Sequence, residues 1–319
     1  MWVGDELGAY GYEEKPWFRP DRLAAFRAEA TARGLDARLL LHDAVPAKDA
    51  DLLLVHSAAH VERVRRLCAL NEGALDHGPT FARASVERAA THVVGSVVDA
   101  TRRILAGELK RAFVPIAGFH HAFRDEARSY CLYNDAAIAV KLVRESGIAP
   151  VGYVDVDVHQ GDGVYRTFAS DPGVVIADLH EDWTTLFPNT PEKPSDKSMP
   201  GGREDTGEGE ARGTKLNIPL LPGTTDADFR VAWAEAEAFL DAKKPAFIVY
   251  VAGADGLDGD PMAHCKLSVD TLRFATQRVI ALAERHADGR LLVLGGGGYE
   301  MSNMVNGWCA VVETLLEQS

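Results

Sequence analysis

Four short apolar runs in this chain each end in residues for which a buried strand has no ordinary use. FVPIAGFHH (113–121), VGYVDVDVH (151–159), FIVYVAGAD (247–255) and LLVLGGGGY (291–299) pass from Val, Ile, Leu and Phe into histidine, aspartate or glycine. Runs without polar–apolar alternation are the pattern of strands covered on both faces in a parallel sheet. Ligands of such sheets gather at the carboxyl ends of the strands. The pattern therefore predicts an α/β fold with helices on both faces of a parallel sheet. Strands are expected at 38–41, 112–116, 151–156, 174–177, 246–251 and 291–294.

Helical spacing places helices at 20–33, 84–106, 227–244 and from Ser268 to about 286. Thr224, Thr225, Asp226 and Ser268 offer N-caps, and Gly34 and Gly107 offer C-terminal stops. Helix–strand units continue along the whole of 1–319 without a linker or a repeat, so the chain reads as one domain. The exception is a stretch at about 181–213, crowded with Pro, Gly, Glu, Asp and Lys and long for a connection inside a compact domain.

Composition narrows the partners. The 47 acidic and 34 basic side chains leave a formal charge of −13, which opposes a non-specific grip on nucleic acid and favours a cationic partner. No apolar run approaches the ~18 residues that a membrane span needs. Cys68, Cys131, Cys265 and Cys309 show no CxxC spacing, which argues against a disulfide framework or a structural zinc cluster and for a reducing, cytoplasmic location.

In VDVDVH the two-residue period of an extended chain projects Asp155, Asp157 and His159 to one side. Carboxylates converging in so apolar a run are costly to bury unless a cation lies between them. Two carboxylates and an imidazole suit Zn²⁺ with an open position, and the same ligands accommodate Fe²⁺ or Co²⁺. Asp255, reached past Gly253 and Ala254, is placed to complete the set from another strand. His120 and His121, beside Gly118, offer a general acid/base, and Asp155 and Asp162 are the carboxylates available to orient the two imidazoles. Residues 295–298 lack both the GxGxxG pattern and the Lys-Ser/Thr of a phosphate loop. They instead let backbone pass close to a ligand at Gly297 and put the Tyr299 phenol at the rim.

Taken together, AGFHHA, DVDVHQGDG, GADGLDGDP and GGGGYE resemble the signature motifs of the zinc-dependent histone deacetylase family, in particular its bacterial acetoin-utilisation-type branch. WFRPDRL, YCLYNDAAIAV, DLHED followed by LFP, and GTKLNIPLLPG extend the likeness over most of the chain in order. The resemblance implies the arginase/deacetylase fold and a metal-dependent amidohydrolase. Its substrate would be an acylated lysine in a peptide or protein, or a small acylated amine such as an acetylpolyamine. It puts Asp157, His159 and Asp255 at the metal-ligand positions. His121, partnered by Asp162, falls at the general base and acid, His120, partnered by Asp155, at its electrostatic neighbour, and Tyr299 at the carbonyl-polarising tyrosine. Tyr130 and Phe187 fall where two aromatics sandwich the acyl-lysine methylenes, Met262 lines the same channel, and Asp76 resembles a rim aspartate that binds substrate backbone.

Departures from the family pattern are specific. Tyr130 stands where phenylalanine is usual and Ser129 where glycine is common. Asp178 stands at the serine that, near Asp155, helps to bind a structural potassium ion. The segment 188–205 is longer than the usual connection after LFP. An arginase-like binuclear centre would want an extra carboxylate near Asp255, where Gly253 stands instead. A non-catalytic acyl-lysine binding module would have lost Tyr299, a histidine or a ligand, and all are present.

Overall fold

The computed structural model describes residues 1–188 and 201–318. Its main sheet has six parallel strands: β3 (Arg111–Val114), β4 (Val151–Asp155), β5 (Val174–Glu181), β6 (Lys215–Leu220), β7 (Phe247–Val251) and β8 (Leu291–Leu294). They lie in the order β3–β8–β7–β4–β5–β6. Every residue of β4, β5, β7 and β8 is buried, which requires cover on both faces. The helices Ala84–Leu105 and Asp135–Glu145 pack on β3, β4, β7 and β8, and Asp226–Lys243 and Val269–His286 pack on β5, β6 and β7. Thr225 and Ser268 are the N-caps of the latter two.

The strands differ from the sequence expectation in three places. The apolar stretch 38–41 is not a strand: a 3-10 turn at Asp36–Arg38 runs into extended chain on which Leu40 is 70% exposed. The strand there is β2 (His42–Asp43), and it pairs with β1 (Trp2–Val3) in a ladder of their own. The register is set by the amino terminus, since His42 N donates to Met1 O at 2.9 Å and the His42 ring stacks on Trp2. β5 runs four residues beyond 177, so His180 and Glu181 belong to the sheet and not to the following connection. β6 carries Asn217 and Pro219 and was not expected as a strand; it is the sheet edge, where proline is tolerated. Of the long segment 188–205, residues 189–200 lie outside the described residues.

The histidine-bearing end of β3 is held from behind by a chain of hydrogen bonds. Asn134 caps the helix Asp135–Glu145 through Oδ1, while its Nδ2 donates to the carbonyls of His120 and Ala122, both at 2.9 Å. Asn134 N in turn donates to His56 Nε2 at 2.9 Å, which requires that nitrogen to be unprotonated. Burial, aided by the charge of His60, pushes His56 down to about 3. Its folded value thus lies below the unfolded ~6.5, and between the two the unfolded chain binds the extra proton. The neutral His56 therefore stabilises fully above about 6.5, and its contribution falls by up to ~1.4 kcal/mol per pH unit as pH drops toward the folded value. His56→Gln, which can still accept from Asn134 N but does not titrate, is expected to show a shallower decline of urea-measured stability below pH ~6.5. Equal slopes in the two proteins would mean that His56 is not buried neutral.

Candidate active site

The carboxyl ends of β3, β4, β7 and β8 converge. Asp157 and His159 follow β4 and Asp255 follows β7; one ligand atom from each lies within 4.8 Å of the others, and all three residues are buried. Asp255 Oδ2 is 3.0 Å from His159 Nδ1, and Asp157 Oδ1 is 3.3 Å from the same nitrogen. Burial, then the Asp157 charge, push the Asp255 carboxyl up to about 7. Asp157 is lowered, its burial being outweighed by the imidazoles of His120 and His159. Burial would lower His159, but its hydrogen bonds to Asp157 and Asp255 outweigh that and raise the imidazole to about 10, so a proton is held where two carboxylates and a ring nitrogen meet, and a divalent cation fits the same donor set in its place.

Glycines keep this cluster open. A Cβ at Gly297 would fall 2.2 Å from Asp255 Oδ2 and 2.8 Å from Asp157 Oδ2, while the Gly297 amide donates to Asp157 Oδ2 at 2.6 Å. A Cβ at Gly253 would lie 2.5 Å from the Asp157 Cα, so no extra carboxylate for a binuclear centre fits at that position.

The two histidines sit beside the cluster with their Nε2 atoms 3.2 Å apart. His120 Nδ1 is bound to Asp155 Oδ2 at 2.8 Å and His121 Nδ1 to Asp162 Oδ1 at 2.7 Å. Identical hydrogen-bond patterns yield opposite electrostatics. Burial would lower His120, but Asp155 and Asp157 outweigh it and raise the imidazole to about 10. Burial and the neighbouring His120 charge hold His121 down at about 4, against Asp162. Asp155 also accepts from Tyr153 Oη. Asp178, opposite Asp155 in the sheet, accepts from Gly161 N and binds His180 Nδ1, both at 2.9 Å. Each Asp178 oxygen thus accepts one hydrogen bond within the protein and keeps a second lone pair.

A cleft of about 20 Å³, room for a single water, is bordered by Phe18, His120, His121, Tyr130, Asp157 and Tyr299. Tyr130 stacks on Phe18 at 4.5 Å, and Phe187 meets His121 edge-on at 5.0 Å. The Tyr299 ring stands 6.1 Å from that of His159. Its phenol is raised well above the ordinary tyrosine value by burial and by the charges of Asp255 and Asp157, so it stays protonated.

Asp76, half-buried, holds the turn that carries Tyr130. Its Oδ1 accepts from Gly78 N and Thr80 N, and its Oδ2 from Thr80 Oγ1 and Ser129 N. Tyr130 N donates to Thr80 Oγ1 at 2.8 Å. These bonds hold a tight turn in which Ser129 and Tyr130 both have positive φ, 42° and 66°, a conformation that non-glycine residues adopt only when their surroundings impose it.

Four supporting residues escaped the sequence reading. Asp260 accepts from the amides of Met262, Tyr299 and Glu300 and so fixes the tyrosine loop, with Met262 beside it. Asp135 takes Gly118 N and Phe119 N at 2.7 and 2.8 Å, and Asn134 and Thr80 act as described. The one available signal was Asn134 at the start of a helix, since a capping residue has a second polar atom to spend.

Comparison with known proteins gives a consistent set of likenesses. A family model described as the histone deacetylase domain matches residues 16–315. A histone deacetylase-like amidohydrolase of Pseudomonas aeruginosa is 34% identical over 319 residues, covering 98% of this chain and 79% of that protein. The acetoin utilization protein AcuC of Bacillus subtilis is 30% identical over 272 residues, covering 81% of this chain and 66% of that protein. The crystal structure of the HDA15 HD domain superposes with a TM-score of 0.88 at 27% identity, covering 100% of this chain and 89% of that one.

Proposed function

This chain belongs to the histone deacetylase family and is an amidohydrolase of the deacetylase type, and on that premise we propose that it hydrolyses the amide of an acylated primary amine carried on a methylene chain. Acyl-lysine side chains and acetylpolyamines both meet that description. The observation that carries the reading is that Asp157, which with His159 and Asp255 forms the buried ligand cluster, borders the same cleft as His121 and Tyr299.

Asp157, His159 and Asp255 would hold the metal, zinc by the kind of ligand offered. When bound, it supplies Lewis acidity that polarises the amide carbonyl and makes a water molecule more acidic. His121, neutral at physiological pH and oriented by Asp162, accepts the water proton at Nε2 as the oxygen attacks the carbonyl carbon. The Tyr299 phenol donates a hydrogen bond to the oxyanion that develops. His120, kept protonated by Asp155 and Asp157, adds positive charge beside it. His121 then returns the proton to the amide nitrogen, the C–N bond breaks, and the carboxylic acid formed passes its remaining proton to the amine, so that a carboxylate and an ammonium leave. Tyr130 and Phe187 are the aromatic walls for the methylene chain, and the whole chain serves as one catalytic domain.

The four buried, free cysteines support a reducing, cytoplasmic location, and no helix among the described residues is long and apolar enough to cross a membrane. The test is steady-state turnover of zinc-loaded protein on a fluorogenic acetyl-lysine peptide and on an acetylpolyamine. Release of acetate from either supports the reading, and the preferred compound separates macromolecular from small-molecule work. No release from both, with zinc bound, would sink it.

A further inference from the structure

The guanidinium of Arg128 closes a ring of contacts around His121. Asp162 uses Oδ1 for His121 Nδ1 at 2.7 Å and for Gly163 N at 3.0 Å. Its other oxygen, Oδ2, is buried and accepts no hydrogen bond among the described residues; it lies 3.3 Å from Arg128 Nη2. The same guanidinium lies over the rings of Phe123, at 4.3 Å, and Phe187, at 5.6 Å. Phe187 returns to His121 edge-on, which completes the circuit from imidazole to carboxylate to guanidinium to aromatic ring.

Arg128 is held where this circuit needs it. Arg128 N donates to Cys131 O at 3.0 Å and Cys131 N to Arg128 O at 2.8 Å, so it opens the turn whose central residues Asp76 and Thr80 pin. The side chain is 18% exposed and its Nε is buried without a partner among the described residues. A largely desolvated guanidinium with one carboxylate is an expensive device for packing alone, since an apolar side chain would fill the same space without the desolvation cost. A planar cation, however, can satisfy a carboxylate with its edge and an aromatic ring with its face at once.

We propose that Arg128 is a positioning residue, which through one guanidinium sets both the Asp162 carboxylate behind His121 and the Phe187 ring in front of it. The proposal rests on the assignment of His121 as general base. With Oδ2 released, only the two bonds at Oδ1 still hold the Asp162 carboxylate, and the direction of the imidazole is less tightly fixed. With the cation removed, the Phe187 ring loses the face contact that holds it against the cleft. One residue thus links the seating of the substrate chain to the aim of the base.

The variants are Arg128→Met, which keeps length without charge, and Arg128→Lys, which keeps charge without the plane. In Met, kcat is expected to fall about tenfold, the usual scale for loss of a group that orients another, with KM raised as well. In Lys, kcat is expected to recover while KM stays raised, because an ammonium can pair with Asp162 but offers no face to Phe187. A readout independent of turnover is the His121 Nδ1–H resonance in ¹⁵N-histidine-labelled protein, assigned by its loss in His121→Ala. It should broaden or shift in Met and persist in Lys. An unchanged resonance with unchanged kcat and KM in Met overturns the proposal. So does a loss of kcat that tracks a lowered melting temperature and is not restored by Lys. If the wild type fails to turn over any acyl substrate, the deacetylase assignment fails, while the resonance still decides whether Arg128 positions His121.

Discussion

Asp255→Asn is expected to abolish stoichiometric metal binding and to lower turnover by about 10³-fold or more, the rate equivalent of the several kcal/mol that a Lewis acid contributes to such a reaction. The substitution preserves shape and the hydrogen bond that Val158 N donates to Asp255 Oδ1, so the loss would not come from collapse of the site. Its signature lies in stability. Without metal, wild-type Asp157 and Asp255 are two buried carboxylates in mutual repulsion, and burial first, then Asp157, push Asp255 up to about 7. A carboxyl raised in the folded state above its unfolded value favours folding below the unfolded value. That advantage is lost as pH rises through about 7, where the charged form must be buried. The chelated wild type should therefore melt below chelated Asp255→Asn at pH ~8, because the amide carries no charge to bury. Adding zinc should reverse the order, since only the wild type gains the stabilisation that tight binding confers. Melting curves with chelator and with zinc, alongside metal content, check this crossing. The same order under both conditions would mean that Asp255 is not a metal ligand.

The parts of this site that the sequence makes legible are those carried by local pattern. The run VDVDVH marks the place, but strand geometry does not carry it through: β4 ends at Asp155, which turns to His120, and Asp157 and His159 meet Asp255 from the bend that follows, while Asp255 and Tyr299 come after apolar runs that are neighbours in the parallel sheet. Their roles needed the family resemblance, because strand geometry does not say which of Asp155 and Asp157 faces the metal. What stays hidden depends on contacts between distant segments. That the Asp76 carboxylate also holds Ser129 N, 53 positions away, is not visible in the sequence. Arg128 looks like a surface charge in DEARSY until Asp162 and Phe187 are found beside it. The misplaced strand at 38–41 fails for the same reason in reverse: three leucine-rich positions promise burial, but pairing with β1 selects His42 and Asp43 and leaves Leu40 in solvent.

Tyr299→Phe is expected to lower kcat by about 10²- to 10³-fold, the cost of removing one donor from an oxyanion site, while leaving KM and the melting temperature nearly unchanged. The phenol oxygen supports none of the described residues in the resting protein. Its hydroxyl makes no hydrogen bond to another described residue, whereas its backbone is held by Asp260, which accepts from Tyr299 N at 2.8 Å and Glu300 N at 3.2 Å. Removing the oxygen therefore breaks nothing that supports the fold, and the ring, 6.2 Å from Phe18 and 6.1 Å from His159, keeps its neighbours. A donor with no partner among the described residues is available to the substrate oxygen, and its hydrogen bond strengthens as that oxygen becomes an oxyanion, so it lowers the barrier more than it tightens the ground state. Because burial and then the charges of Asp255 and Asp157 raise the phenol well above the ordinary tyrosine value, its own ionisation should not limit the rate at pH ~9, and any alkaline decline there has to come from another group. Turnover within threefold of wild type would remove Tyr299 from the chemistry and leave the charge on His120 as the nearest source of oxyanion stabilisation. A large fall in kcat accompanied by a lowered melting temperature would instead assign the phenol a structural bond that forms in solution.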